Sequence, residues 1–113
     1  MARTDRFVHR ARRHLGPDEV VLASAMALEE EGRRRQVVVV TDRRVLITGL
    51  RGETSVDFPL DGSTCHYQRA GGRLTFGHVD RELTVREVDG LAGRNIQTLL
   101  EARATRRIAR DAV

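Results

Sequence analysis

Val37-Val38-Val39-Val40-Thr41-Asp42-Arg43-Arg44-Val45-Leu46-Ile47-Thr48-Gly49 is the stretch whose reading decides the fold. Two runs of aliphatic and β-branched residues flank a short polar break, the pattern of a β-hairpin. If Asp42-Arg43 is a two-residue turn, Val40 faces Val45, Val39 faces Leu46 and Val38 faces Ile47. One face then carries Val38, Val40, Val45 and Ile47, and the other carries Val37, Val39 and Leu46. Both faces are apolar, so this pair must be covered on both sides, unlike a hairpin with one wet face.

Upstream of the hairpin, Val20, Leu22, Met26 and Leu28 alternate with Val21, Ala23, Ala25 and Ala27. The alternation predicts a strand with a bulky side and a small side, although Ala also favours helix. Glu29-Glu30-Glu31-Gly32-Arg33-Arg34-Arg35 ends it in a charged turn. Further upstream, Phe7, Ala11 and Leu15 recur on one stripe after a candidate cap at Asp5. Residues 5–15 therefore read as a short amphipathic helix, stopped by Gly16-Pro17. A helix this short needs a surface to dock on.

Downstream, four short strands follow. Residues 54–60 alternate through Val56, Phe58 and Leu60, with Pro59 marking an edge or a strand end. Residues 64–68 carry Cys65 and Tyr67 on one side, residues 73–78 carry Leu74 and Phe76, and residues 82–88 carry Leu83 and Val85. Asp89 caps a final helix over residues 89–109, with Leu91, Ala92, Ile96, Leu99, Leu100, Ala104 and Ile108 on its apolar stripe and Gly93 weakening its first turn. The expected architecture is α+β and mostly β: an N-terminal helix, seven strands within residues 19–88 in an antiparallel sandwich or partly open barrel, and a C-terminal helix as a cap.

At 113 residues, of which 40% are apolar, the whole chain 1–113 fits one domain with a core of its own. No run reaches the ~20 apolar residues of a membrane-spanning helix, the N-terminus lacks a signal-peptide core, and the lone Cys65 cannot form an internal disulfide. The expected location is the cytoplasm, with the inner face of the membrane as the alternative. All 20 basic residues are arginine. Two explanations stay open, an anion-binding role and a preference for arginine codons. Residues 1–14 hold five Arg against Asp5, residues 15–88 hold ten against twelve acids, and residues 89–113 hold five against three. The basic character therefore sits on the two ends.

The chain resembles bacterial pleckstrin-homology-like and GRAM-like domains in three places. Leu15-Gly16-Pro17-Asp18-Glu19-Val20-Val21 looks like their entry into the first strand, with the usual Pro-Gly pair reversed. Val40-Thr41-Asp42-Arg43-Arg44-Val45-Leu46 is similar to their second hairpin, and Phe58-Pro59-Leu60 stands where they often have an Ile-Pro-aromatic element. The resemblance runs in order along nearly the whole chain. It implies the PH-like fold and a non-catalytic binding role. Arg33, Arg34 and Arg35 match the eukaryotic phosphoinositide pattern only loosely, and the C-terminal helix has no Trp, so specific phosphoinositide recognition is not implied.

Candidate contact residues follow. Arg33, Arg34 and Arg35, with Arg43 and Arg44 at the opposite end of the middle strand, are candidates for an anion or partner contact. The alternative for the first three is neutralisation by Glu29, Glu30 and Glu31. Asp42 is expected to fix its own turn. Val37, Val39 and Leu46, with Val21, Ala23 and Ala25 of the preceding strand, form an apolar surface to be covered by Phe7, Ala11 and Leu15 or by a second copy. Cys65 and His66 point to opposite faces and His9 and His14 are badly spaced, so neither catalytic nor metal-ligating residues are assigned, and no small-molecule cofactor is expected. Aromatics number four, three of them at core positions, which argues against specific nucleic-acid binding. The expected function is binding of a protein partner or self-association. The alternative is an anionic membrane surface gripped by Arg6, Arg10, Arg12, Arg13, Arg103, Arg106, Arg107 and Arg110.

Overall fold

A computed structural model of the protein describes residues 3–53 and 56–111, with side chains described within 6–104. Helix α1 (Arg3–Ala11) leads through a 3-10 turn (Arg12–His14) into β1 (Val21–Glu29), β2 (Arg35–Thr41), β3 (Arg44–Gly49) and β4 (Val56–Pro59). Then come β5 (Thr64–Gln68), a 3-10 turn (Ala70–Gly72), β6 (Arg73–His78), β7 (Arg81–Arg86) and helix α2 (Gly90–Asp111). The strands form one antiparallel sheet in the order β4-β3-β2-β1-β7-β6-β5. Helix α1 starts earlier than expected, at Arg3, and a capping role for Asp5 lies outside the described side chains. Thr54 and Ser55 are likewise outside the described residues.

The hairpin pairs as its sequence dictates: Val40↔Val45, Val39↔Leu46 and Val38↔Ile47. Its turn is fixed by Thr41, whose hydroxyl accepts the N–H groups of Arg43 and Arg44 at 3.1 Å each. Asp42 instead reaches across to accept the Val20 N–H at 3.0 Å, which ties the turn to the entry of β1. The expectation that Asp42 serves its own turn is thus corrected.

The two faces of the hairpin belong to two separate cores. Val38, Val40, Val45 and Ile47 join Phe58, Leu74, Phe76, Val85, Ile96 and Leu100 in the main core. Val37, Val39 and Leu46 pack with Phe7, Val8 and Ala11 of α1, with Leu15, Val21, Met26 and Leu50 at the margin. The nine-residue α1 is therefore the cover that the outer apolar face requires.

Strand β1 overturns one part of the predicted surface. Val21 pairs with Thr41 and Ala23 with Val40, so Leu22 is an extra residue in a β-bulge. A one-residue insertion exchanges faces. Ala23, Ala25 and Ala27 consequently turn to the main core, and the outer face is completed by Val21 and Met26. The small alanines lie on the side where α2 packs and leave it room. Ala23 and Ala25 are not part of the helix-docking surface.

Strands β1 and β7 share only two residue pairs, Leu28↔Arg86 and Glu29↔Val85. The sheet folds over at that corner and brings Phe58 of β4 against Phe76 of β6, ring centroids 6.2 Å apart. The exposed edges are blunted. On β4 the Asp57 carbonyl accepts Arg81 Nη2 at 2.8 Å, Pro59 has no N–H, and its carbonyl accepts the Ser63 hydroxyl. On β5 the Tyr67 N–H donates to Gln97 Oε1 of α2 at 2.7 Å.

Helix α2 is capped by Asp89, whose Oδ2 accepts the N–H groups of Leu91 (3.1 Å) and Ala92 (3.3 Å). Leu91 is 72% exposed and leaves the predicted stripe, which runs instead through Ala92, Ile96, Leu99 and Leu100. Gly93 has a packing reason: a Cβ there would run into the Tyr67 ring.

Strand β7 begins at Arg81, one residue before the predicted strand over residues 82–88. His78 pairs with Arg81, so Val79 and Asp80 form a two-residue loop, with Val79 at φ 56° and 92% exposed. A β-branched residue there is strained and packs on nothing, whereas glycine suits the position. Val79→Gly is expected to raise stability by about 1 kcal/mol, read as a higher urea midpoint.

Candidate functional site

Several arginines serve the fold itself. Arg44 is the clearest: its guanidinium donates to both Glu19 carboxylate oxygens at 2.9 Å, to Asp57 Oδ2 at 3.2 Å and to the His14 carbonyl at 2.6 Å. Glu19 also accepts the Thr41 hydroxyl (2.6 Å) and the Gly16 N–H (3.0 Å), and its side chain is only 2% exposed. The Arg44 hydrogen bond is the main reason the Glu19 carboxyl titrates at about 2; burial opposes the shift, and Thr41 and Gly16 add to it. This buried node fastens the exit from α1 to the β2–β3 turn. Arg44 is therefore committed within the chain, which corrects its assignment as an anion or partner contact; Arg43 beside it stays exposed.

Arg33, Arg34 and Arg35 lie at the other end of β2, separated from that turn by a strand of seven residues, roughly 20 Å at ~3.3 Å per residue. Two of the adjacent glutamates turn their carboxylates to groups other than these guanidiniums. Glu30 pairs with Arg73 at 2.6 Å, and Glu29 Oε1 accepts the backbone N–H of Arg34 at 3.3 Å. Among the described residues no carboxylate forms an ion pair with Arg33, Arg34 or Arg35.

Arg34 and Arg35 line a cleft of about 350 Å³ at this end of the sheet, whereas Arg33 stays outside it. The opposing contribution is the β3–β4 loop, with Leu50, Arg51 and Glu53, and the floor is apolar: Ile47, Leu50, Val56 and Leu83. Glu53 organises the loop by accepting the Arg51 N–H at 2.8 Å, while its own carbonyl accepts the Gly49 N–H at 3.1 Å. Its carboxyl is held below the usual range, first by its own backbone N–H and then by that of Arg51. The site thus carries three arginines and one ionised carboxylate above an apolar floor. Arg51 and Glu53 are the members that the sequence did not disclose; its only signal there was the Arg51-Gly52 turn.

Helix α1 and the 3-10 turn after it grip the same loop. Arg10 Nη1 donates to the Leu50 carbonyl (3.3 Å), and the Gly52 carbonyl accepts from Arg13 Nη2 (2.6 Å), Arg13 Nε (3.2 Å) and His14 Nε2 (2.5 Å). Gly52 has φ 75°, and a Cβ on it would sit 2.7 Å from the Arg10 carbonyl. Leu50 belongs both to the cleft floor and to the margin of the core beneath α1. The arginines of α1 and those of the cleft are thereby joined through one loop, an association their separation in sequence conceals.

Other candidate groups are accounted for by packing. Cys65 is buried in the main core, and burial first, then Glu101, pushes its thiol up to about 12, so it remains protonated and a poor nucleophile. Its cross-strand neighbour is Phe76 and that of His66 is Thr75, so His78 is opposite neither. Among the described residues no group of three His, Cys, Asp or Glu is placed to hold a metal ion. Among the described residues no helix is long and apolar enough to cross a membrane.

Compared with known proteins, the chain matches no family model and no curated relative.

Proposed function

We propose that this protein is a non-catalytic, PH-like binding module of the cytoplasm, and that it acts by contact with another protein at the arginine-lined cleft. The observation that carries this reading is the meeting of Arg34, Arg35 and Arg51 over an apolar floor, with Glu53 as the only carboxylate lining the cleft among the described residues. The strand order and the C-terminal helix support the PH-like reading, alongside the hairpin motif Val40 to Leu46. Self-association loses its original argument, because the outer face formed by Val37, Val39 and Leu46 is occupied by the chain's own α1.

The membrane alternative built on the two arginine-rich ends has weaker support. Helices α1 and α2 pack on opposite faces of the β1–β3 layer. Arg10 and Arg13 hold loop carbonyls and Arg103 pairs with Asp61 at 2.6 Å. The side chains of Arg106, Arg107 and Arg110 lie outside the described residues.

A photo-crosslinking residue placed at Arg51 in the native host tests the proposal. The expected result is a discrete protein adduct that is absent when the same residue replaces Arg94, exposed on α2. Identical adduct patterns from the two positions, or adducts of lipid alone, refute it.

A further inference from the structure

We infer that the cleft takes an acidic peptide segment of the partner, which places one apolar side chain on the floor formed by Ile47, Leu50, Val56 and Leu83 and carboxylates against Arg34, Arg35 and Arg51. This rests on the cleft being the binding surface and adds the chemistry of what fills it. The volume, about 350 Å³, is at the bottom of the ~300–1,000 Å³ range of small-molecule pockets, enough for one aliphatic or aromatic side chain. The floor is pre-formed: Ile47 belongs to the main core and Leu50 to the core under α1.

Charge complementarity selects the rest of the segment. Three arginines against Glu53 leave a surplus of two positive charges at the rim. They come from two places, the start of β2 with the residue before it and the β3–β4 turn, so they suit carboxylates spaced along an extended chain. A single phosphate is better served by donors converging on one point, without a fixed carboxylate among them. Arginine forks pair with carboxylates bidentately, and a buried anchor inside a polar rim is the usual anatomy of a protein contact. The same Glu53 disfavours a continuous polyanion and leaves a place for a donor on the segment, such as a backbone N–H.

The test uses the full chain and fluorescence anisotropy with a labelled ten-residue peptide holding one central Leu flanked by Glu on both sides. Comparison peptides carry Ser for Leu, or Gln for Glu. Binding is expected at low salt and is expected to weaken by about tenfold or more, the equivalent of ~1.4 kcal/mol, on either peptide change and in the Arg35→Glu/Arg51→Glu variant. Arg94→Glu should bind as the unmodified chain does. These side chains are exposed, and circular dichroism checks that each variant is folded; Arg34→Gln/Arg51→Gln is the milder second variant.

Equal affinity for the Ser peptide overturns the apolar anchor, and unchanged affinity in the cleft variants overturns the site. Flotation with vesicles of phosphatidylserine and phosphatidylcholine separates the two levels of the argument. Vesicle binding that needs Arg35 and Arg51, without peptide binding, keeps the cleft as a binding surface but refutes both the peptide and the protein-contact reading. Peptide binding of the Ser and Leu forms alike, still dependent on the arginines, refutes only the anchor and leaves the protein-contact reading standing. An absence of arginine-dependent binding to peptide, vesicle or inorganic phosphate refutes both.

Discussion

A chain lacking residues 1–15 is expected to aggregate or to run as a larger species in size exclusion with light scattering. The deletion removes Phe7, Val8 and Ala11, all buried, and exposes Val37, Val39 and Leu46, which are at most 1% exposed in the intact chain. At ~1.5–3 kcal/mol per large apolar side chain, uncovering this face costs about 5–10 kcal/mol. That is comparable to the whole stability of a domain, commonly ~5–15 kcal/mol. A newly exposed apolar face of this kind seeks another surface. Gly52→Ala is a gentler form of the same experiment, because its Cβ meets the Arg10 carbonyl at 2.7 Å and its φ of 75° suits glycine. It should loosen α1 without removing it. A truncated chain that stays a stable monomer would contradict the role assigned to α1.

The second large effect belongs to Glu19. Its carboxyl titrates at about 2 in the folded protein, below the ordinary 4.5, so the folded state favours the ionised form. The resulting stabilisation is fully present above about pH 5 and is lost as pH falls from 4.5 towards 2. A shift of this size corresponds to about 3 kcal/mol at neutral pH. Glu19→Gln should therefore destabilise the protein by about that amount at pH 7, since Arg44 is left half-buried with only the exposed Asp57 as a charged partner. At pH 2 the variant and the unmodified chain should differ little. Urea denaturation at several pH values checks this, and parallel stability profiles for the two proteins would count against the assignment.

The fold was legible where two-residue periodicity and a short turn acted together. Asp42-Arg43 fixed the hairpin register, and that register alone required covers on two sides. The strands at residues 64–68 and 73–78 were equally clear, with Gly71-Gly72 marking the turn between them. The bulge at Leu22 was not, because a single inserted residue leaves the alternation of β1 looking continuous while exchanging its faces. Leu91 misled for a related reason: it fits the helical period loosely, but in the first turn of α2 it is Ala92 and Gly93 that face the sheet, and Leu91 points to solvent. The role of Glu19 was not legible because its side-chain partners, Thr41 and Arg44, are 22 and 25 residues away. Half of the cleft was visible in Arg34 and Arg35. Arg51 was hidden, because only the fold brings the β3–β4 loop beside the start of β2.

The bulge also bears on how the molecule unfolds. Strands β1, β2 and β3 each send side chains into both cores, with Val21 and Met26 on one side of β1 and Ala25 and Ala27 on the other. The two clusters therefore share a single set of strand hydrogen bonds and have no scaffold of their own. Melting either one disturbs the backbone ladder that supports its counterpart. Although the chain has two cores, its central layer makes it one cooperative unit.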